Sequence, residues 1–296
     1  ITAALVKQLR DITGAGMMDC KKALVETDGD VDAAVEFLQI KGMAKAAKKS
    51  GRIAAEGLVS TWVNDAGNAG IVVEINCETD FVSRNEKFQD IVATLTNTIG
   101  PSDANTVEEA LELEVDGVPM GDFLKSSITT IGENIQLRRF VRYDAPNGMV
   151  GSYIHAGSQI GVLISIDAEE GMTDRTNAFT RDVSMHIAAM SPGFLNTDVI
   201  DPAEAEKQEH LFNEIVKEEG KPEKIIPRIV EGKMNKWRKE SSLVDQPYVK
   251  NPDITVGEFE TETGGVKITG FTRYQVGDGI EKEEGNLADE VAALRG

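Results

Sequence analysis

Apolar positions recur at helical spacing through the first fifty residues and at strand spacing beyond them. Leu5, Leu9 and Ile12 fall on one helical face, with Thr2 placed to cap that helix and Gly14 to end it. "GAGMMDCKKALVET" begins a second helix, and "DGD" turns the chain into a third, capped by Asp30, with Val31, Val35 and Leu38 inward. Gly51 and the Ala-rich "AKAAKKSGRIAAEG" read as a linker. From Glu56, short strands and glycine turns take over. Leu58, Ser60 and Trp62 alternate with Val59, Thr61 and Val63, as on a half-buried strand. Ile71 to Ile75 form a second strand, followed by a helix with Phe88, Ile91, Val92 and Leu95 on its apolar face. Ser83 and Glu86 have the spacing of a capping box for that helix, with Val82 at the staple position. Phe81 is left without a part in this turn.

An internal repeat organises the middle of the chain. "GLVSTWVNDAGNAGIVVEIN" (57–76) aligns without gaps to "GMVGSYIHAGSQIGVLISID" (148–167), an offset of 91 residues. Trp62 pairs with Tyr153, Gly70 with Gly161, Phe88 with Phe179 and Val92 with Val183. Each copy is a hairpin followed by a helix, so the fold class is α+β, with two related antiparallel subdomains covered by helices. The second copy has "EEGMT" in place of "ETDFV". Phe81 is therefore dispensable to the hairpin and helix, and the asymmetry points to a task performed by one copy.

Residues 202–240 interrupt the second copy as two antiparallel helices turned at Gly220-Lys221-Pro222. Leu211, Ile215 and Val216 face one way on the first; Ile225, Ile226, Ile229 and Val230 supply the second, where Pro227 restricts its start. A protruding hairpin cannot bury both stripes alone, which predicts a partner copy or neighbouring domain, with a two-fold homodimer the commonest solution. "TVGEF" and "GGVKITGFTRYQVG" read as strands, and "NLADEVAALRG" as a short docking helix or a tail. The expected domains are a helical module (1–52), core subdomain 1 (53–145), core subdomain 2 (146–200, continued at 241–280), the hairpin (201–240) and a C-terminal helical extension (281–296).

Charge narrows the partners. Lys+Arg number 31 against Asp+Glu 50, a formal net charge of -19 that repels phosphate backbones and anionic lipid. The basic stretch "KGMAKAAKKSGR" reads first as a solvated helix with basic residues near its C-terminal end. No direct nucleic-acid or membrane binding is expected. Cys20 and Cys77 lack C-x-x-C spacing and suit reduced thiols. With no long apolar span and no leader pattern, a cytoplasmic location is expected.

Catalytic chemistry is hard to assemble. His155, His186 and His210 have no second His or Cys at metal-ligand spacing. "TGAGMM" follows a helix and lacks a third glycine, and "EEGKPEK" has no Ser or Thr after its lysine, so neither is a nucleotide loop. "DGDVDAAVEFLQ" has Ala33 and Gln39 where a calcium loop needs Gly and Glu. The chain therefore reads as a binding protein; a passive adaptor or holdase is one form of that reading, and a hydrolase around Glu78, Asp80 and His155, for which no nucleophile is placed, is the other class. No cofactor or metal of its own is expected.

"LRDITGAGMMDCKKAL", "EINCETDFVSRNEKF", "IGENIQLRR", "GSYIHAGSQIGVL", "EGKMNKW" and "DQPYV" stand in one order along nearly the whole chain. In these blocks the chain resembles the bacterial elongation factor Ts family, guanine-nucleotide exchange factors for elongation factor Tu. The resemblance implies an N-terminal module similar to ubiquitin-associated domains, two core subdomains, a dimerisation hairpin and a C-terminal helix. It implies that Thr79, Asp80, Phe81 and Val82 enter the partner's nucleotide-binding domain, disturbing its Mg²⁺ site and phosphate-binding loop. It also implies partner contacts at Arg10, Met17, Met18, Lys21 and His155. Such a factor needs no acid, base or metal of its own, acting on the GDP and Mg²⁺ that its partner holds. Of Met17 and Met18, one is expected inward and one outward.

Overall fold

The computed structural model describes residues 1–155, 157–169 and 173–281 of the 296-residue chain. Helices α1 (Ala3–Thr13), α2 (Met17–Glu26) and α3 (Val31–Lys49) precede strands β1 (Glu56–Val63) and β2 (Ala69–Cys77). The one-turn helix α4 (Asp80–Ser83), α5 (Glu86–Ile99) and α6 (Val107–Leu111) follow, then β3 (Glu114–Val115), β4 (Val118–Pro119), α7 (Met120–Ile131) and β5 (Ile135–Asp144). Hairpin strands β6 (Gly148–His155) and β7 (Ile160–Ala168) lead into α8 (Asp174–Met190), α9 (Pro202–Glu218) and α10 (Ile226–Ser241). Strands β8 (Pro247–Tyr248) and β9 (Asn251–Thr255), helix α11 (Val256–Thr263) and strand β10 (Val266–Gln275) come last. The sheets are ordered β1-β2-β5 and β10-β7-β6, with two-stranded β3-β4 and β8-β9 beside them, an α+β architecture. The predicted C-terminal helix at 281–296 lies, but for its first residue, outside the described residues.

By compactness the chain divides into two units, one of residues 1–60, 73–140 and the described residues from 274, the other of 61–72 and 141–273. In the first, α1 to α3 close around Val6, Leu9, Cys20, Ala23, Leu24 and Ala34. Thr2 accepts the Leu5 N–H, Asp30 accepts the Ala33 N–H, and Gly14 ends α1 in the left-handed conformation at φ 65°. Val6, not Ile12, accompanies Leu9 inward, and Ile12 is exposed. A stripe that steps back from Leu9 by three residues stays on the bundle side; the step forward to Ile12 rotates off it. The linker reading also fails for 44–49, because α3 runs on to Lys49. Its Gly42 lies buried against Thr129 of α7, whose hydroxyl donates to the Gly42 carbonyl at 3.0 Å. Tertiary contact sustains the helix there.

The repeat goes deeper than its hairpins. Strands β5 and β10 are both ten residues long and lie 131 residues apart, with "FVRYD" matching "FTRYQ". "MGDF" at the start of α7 likewise matches "VGEF" at the start of α11. The offset grows because α9 and α10 are inserted between α8 and β8. "TVGEF", expected as a strand, is instead the start of α11, where Thr255 and Glu258 form a capping box. A side chain at Gly57 would meet the Ile75 carbonyl at 2.2 Å, and one at Gly148 the Ile166 carbonyl at 1.9 Å. Both pairs carry the 91-residue offset. The same hairpin geometry thus demands glycine twice.

Within the inserted hairpin, Val216 of α9 packs on Ile226, Val230 and Met234 of α10, with Ala205, Phe212, Ile229 and Trp237 around them. Leu211 and Ile215 are exposed rather than sharing the Val216 face, and Ile225 is exposed in the 3₁₀ turn before α10. The two helices therefore cover most of each other's stripe. Pro227 sits in the first turn of α10, where its missing N–H leaves no bond unmade.

Candidate functional site

The end of β2 is built to hold its turn still. Cys77 is fully buried, and burial, then the nearby Glu133 and Glu56 carboxylates, push its thiol up to about 12. It therefore stays protonated at neutral pH and donates to the Thr79 carbonyl at 3.3 Å. Thr79 caps α4, its hydroxyl accepting the Val82 N–H at 3.3 Å. The Glu133 carboxylate, just past the glycine that ends α7, gathers three donors from the turn. They are the N–H of Glu78 at 3.1 Å, the N–H of Thr79 at 3.0 Å and the Thr79 hydroxyl at 2.6 Å. Glu78 answers in the other direction, accepting the Asn134 N–H at 2.6 Å and an Arg52 guanidinium contact at 3.3 Å. Asn134 closes the ring by donating its amide to the Arg52 carbonyl at 2.8 Å. Charge-assisted bonds of this kind are worth roughly twice neutral ones.

On this mount the turn presents Phe81, which is 81% exposed, the most exposed of the large apolar side chains among the described residues. Phe88, seven residues on, is fully buried. Val82 is half-buried, and Asp80 pairs with Arg84 at 3.0 Å on the surface. The capping arrangement differs from the expected one. Ser83 is the last residue of α4, buried, with its hydroxyl on the Asp80 carbonyl at 2.9 Å. Asn85 caps α5 by accepting the Lys87 N–H at 2.9 Å. The reason is local: Thr79 offers a cap four residues earlier, so an extra helical turn forms and Ser83 is used up inside it.

Met17 and Met18 open α2 directly after Gly16 and are both exposed, by 45% and 75%. The one-in, one-out expectation for this pair is therefore wrong. Cys20, Ala23 and Leu24 already fill the inward face, and the first turn of α2 lies beyond the bundle core. Met17 and Lys21 are one helical turn apart and share a face, while Arg10 is exposed near the end of α1. His155 ends β6 in the second unit, exposed, its Nδ1 2.9 Å from the Tyr153 hydroxyl.

The groups of the hydrolase reading are each engaged elsewhere: Glu78 with Asn134 and Arg52, Asp80 with Arg84, His155 with Tyr153. His186 is buried, its Nδ1 accepting the Val249 N–H at 3.1 Å and its Nε2 donating to Gln246 at 2.9 Å. Burial lowers its pKa, against the pull of the Gln246 bond, so the ring is neutral and structural. Among the described residues no cluster of three or more His, Cys, Asp or Glu could hold a metal, and no helix is long and apolar enough to cross a membrane.

Glu133 escaped sequence reasoning. Its signals are its place in the block "IGENIQLRR" and an acidic residue beside a helix-ending glycine ahead of a strand that pairs with β2, neither of which points to its contact with the turn.

Comparison with known proteins supplies the rest. A family model described as "Elongation factor TS" matches residues 78–278. A relative from Halothermothrix orenii, named "Elongation factor Ts", is 48% identical over 289 residues, covering 97% of this chain and 95% of its own length. One of the same name from Brucella anthropi is 48% identical over 303 residues, covering 99% and 98%.

Proposed function

Because the chain belongs to the elongation factor Ts family, we propose that it is a guanine-nucleotide exchange factor for elongation factor Tu. The observation that carries this reading is Phe81, a large aromatic left in solvent at the tip of a turn fixed by four hydrogen bonds around Thr79 and Glu133. The Thr79–Val82 turn enters the partner near its phosphate-binding loop and Mg²⁺, and Phe81 contributes about 1.5–3 kcal/mol by leaving water there. Exposed Arg10, Met17, Met18 and Lys21, a module of ubiquitin-associated type, and His155 on the second hairpin hold the complex from outside the nucleotide pocket. Binding and GDP affinity are reciprocally coupled: the factor weakens GDP only as far as GDP weakens the factor, about 1.4 kcal/mol for each tenfold. GTP then rebinds. The factor supplies no chemical step and uses no cofactor of its own.

The test is dissociation of a fluorescent GDP from elongation factor Tu with the intact protein and with Phe81→Ala. Acceleration by the intact protein, lost by about 10- to 100-fold in the variant at saturating factor, is the expected result. An adaptor or holdase would leave the GDP off-rate unaltered. Exposed Leu211, Ile215 and Ile225 favour a homodimer through 201–240. Sedimentation of the intact chain as a monomer at tens of micromolar would remove that part of the reading.

A further inference from the structure

The two repeats close the corner between central strand and helix differently, and the difference isolates Glu133. By the offset of β5 and β10, Glu133 and Asn134 correspond to Gly264 and Gly265. Glu78 corresponds to Glu169 by the hairpin offset. In the second repeat the Glu169 N–H donates directly to the Gly265 carbonyl at 3.1 Å, and the Arg175 guanidinium donates to the Gly264 carbonyl at 2.9 Å and to that of Thr263. In the first, that direct bond is replaced by two carboxylates crossing over, Glu133 onto the 78–79 backbone and Glu78 onto the Asn134 N–H. A repeat that folds with two glycines here does not need a carboxylate to make its corner. What the carboxylate adds is orientation, since Oε2 takes two successive N–H groups and Oε1 takes the Thr79 hydroxyl that also caps α4. Those contacts fix the direction in which the first turn of α4, and Phe81 with it, leaves the sheet. The same short segment is tied to the N-terminal helices, because Lys49 donates to the Gly132 carbonyl and Asn134 to the Arg52 carbonyl.

We propose that Glu133 is a positioning residue for nucleotide exchange: its carboxylate aims the Phe81 tip, and Glu78 with Asn134 locks that aim to the end of α3. This rests on the exchange reading above. Glu133 touches neither GDP nor Mg²⁺ and acts through the turn it holds. A residue with this role changes how fast bound factor expels nucleotide, not how much factor is needed to bind. A residue that merely supports the fold changes melting and leaves that ratio alone.

The experiment measures fluorescent-GDP release from elongation factor Tu against factor concentration for wild type, Phe81→Ala, Glu133→Ala, Glu133→Gln and Phe81→Ala/Glu133→Gln, with melting curves for each. Glu133→Ala is expected to lower the maximal release rate about tenfold while the half-saturating concentration stays within about twofold. Glu133→Gln keeps one oxygen for the two N–H groups but loses the charge, and falls about threefold without a change in melting. Should Glu133→Ala not fold, Glu133→Gln carries the test. In the Phe81→Ala background the Gln substitution should add nothing, because the residue it aims is gone. Wild-type maximal rate in Glu133→Gln overturns the proposal. So does a shift confined to the half-saturating concentration, or a further loss in the double variant. Failure of the exchange reading is separately visible, as absent acceleration by wild type or unaltered release with Phe81→Ala.

Discussion

The two repeats share the positions that make a hairpin and a helix and differ at the turn that carries Phe81 and at a few buried slots. Gly57 and Gly148 occupy the same cramped place against a neighbouring carbonyl, and Phe88 and Phe179 the same buried slot. The helices even end in register, α5 at Ile99 and α8 at Met190, 91 residues apart. Their beginnings do not match. α8 is one helix of seventeen residues capped by Thr173, whereas the first repeat starts earlier at Thr79, makes one turn, breaks at Arg84-Asn85 and restarts. That extra turn is what carries Phe81. On the central strand Glu74, buried under Arg138 and Arg139 at 2.9 and 2.6 Å, stands where the second repeat has Ser165 bonded to Thr269 at 2.9 Å. A duplicated scaffold thus keeps much of its packing in common, and the first copy adds carboxylates of its own, Glu74 on the central strand and Glu133 at the corner beside Glu78.

The shared slots should respond alike and most strongly. Phe88→Ala and Phe179→Ala each remove a fully buried ring and should cost about 3–5 kcal/mol, read as a lowered urea midpoint. A cost below about 1 kcal/mol in either would mean that the two slots are not equivalent. Next comes Glu74→Ser, which gives the first repeat the second's residue. It strands Arg138, Arg139 and the Gly277 N–H without their acceptor. Breaking a buried ion pair from one side costs about 3 kcal/mol. Arg139 keeps its stacking on Tyr274 at 4.1 Å, which holds the loss to the lower end of that class. An unchanged midpoint would show that Ser suits both repeats.

Much of this comparison was readable in the sequence, and the unread part has a common cause. The hairpin repeat, the three N-terminal helices and the helical insertion follow from periodicity, caps and glycine turns, which are local. "GGVKITGFTRYQVG" reads as a strand and is β10, but its match to β5 is hidden because the insertion shifts the offset from 91 to 131, although "FVRYD" and "FTRYQ" are plain once aligned. Ser83 reads as a cap because two capping residues stand four apart, and the earlier one, Thr79, is the one used, its hydroxyl also bonded to Glu133. Which residues of α9 lie inward, and that both methionines lie outward, depended on partners far along the chain. Phe81 was legible through its mismatch with the second copy. Glu133 was not, because its contact spans 54 residues and its own neighbourhood looks like any helix end.

Phe81→Ala sharpens the contrast between fold and site. Being exposed, the ring should contribute within about 0.5 kcal/mol to stability, so the melting curve should hardly move while exchange falls. A melting shift equal to that of Phe88→Ala would make Phe81 a core residue after all.

The smallest effect concerns pH, and it separates the repeats at one more matched slot. Leu95 of α5 and His186 of α8 are 91 residues apart and both fully buried. Only the second repeat therefore carries a titratable group there. The His186 pKa is lowered by burial, so in acid the unfolded chain takes up a proton near the ordinary histidine value of 6.5 before the folded chain does. Its neutral form contributes stability that is fully present above that pH and is lost as the pH falls toward the depressed folded value. The loss is at most about 1.4 kcal/mol per pH unit. The Val249 N–H and Gln246 bond to the ring, with the Tyr248 ring 6.2 Å away. His186→Leu, copying the first repeat, should be less stable at pH 7.5 because those two groups lose their partner, by about 1–3 kcal/mol. Between pH 7 and 5 its urea midpoint should fall less steeply than that of the wild type. Parallel slopes for the two proteins would place the acid sensitivity elsewhere and leave the matched slots thermodynamically indistinguishable.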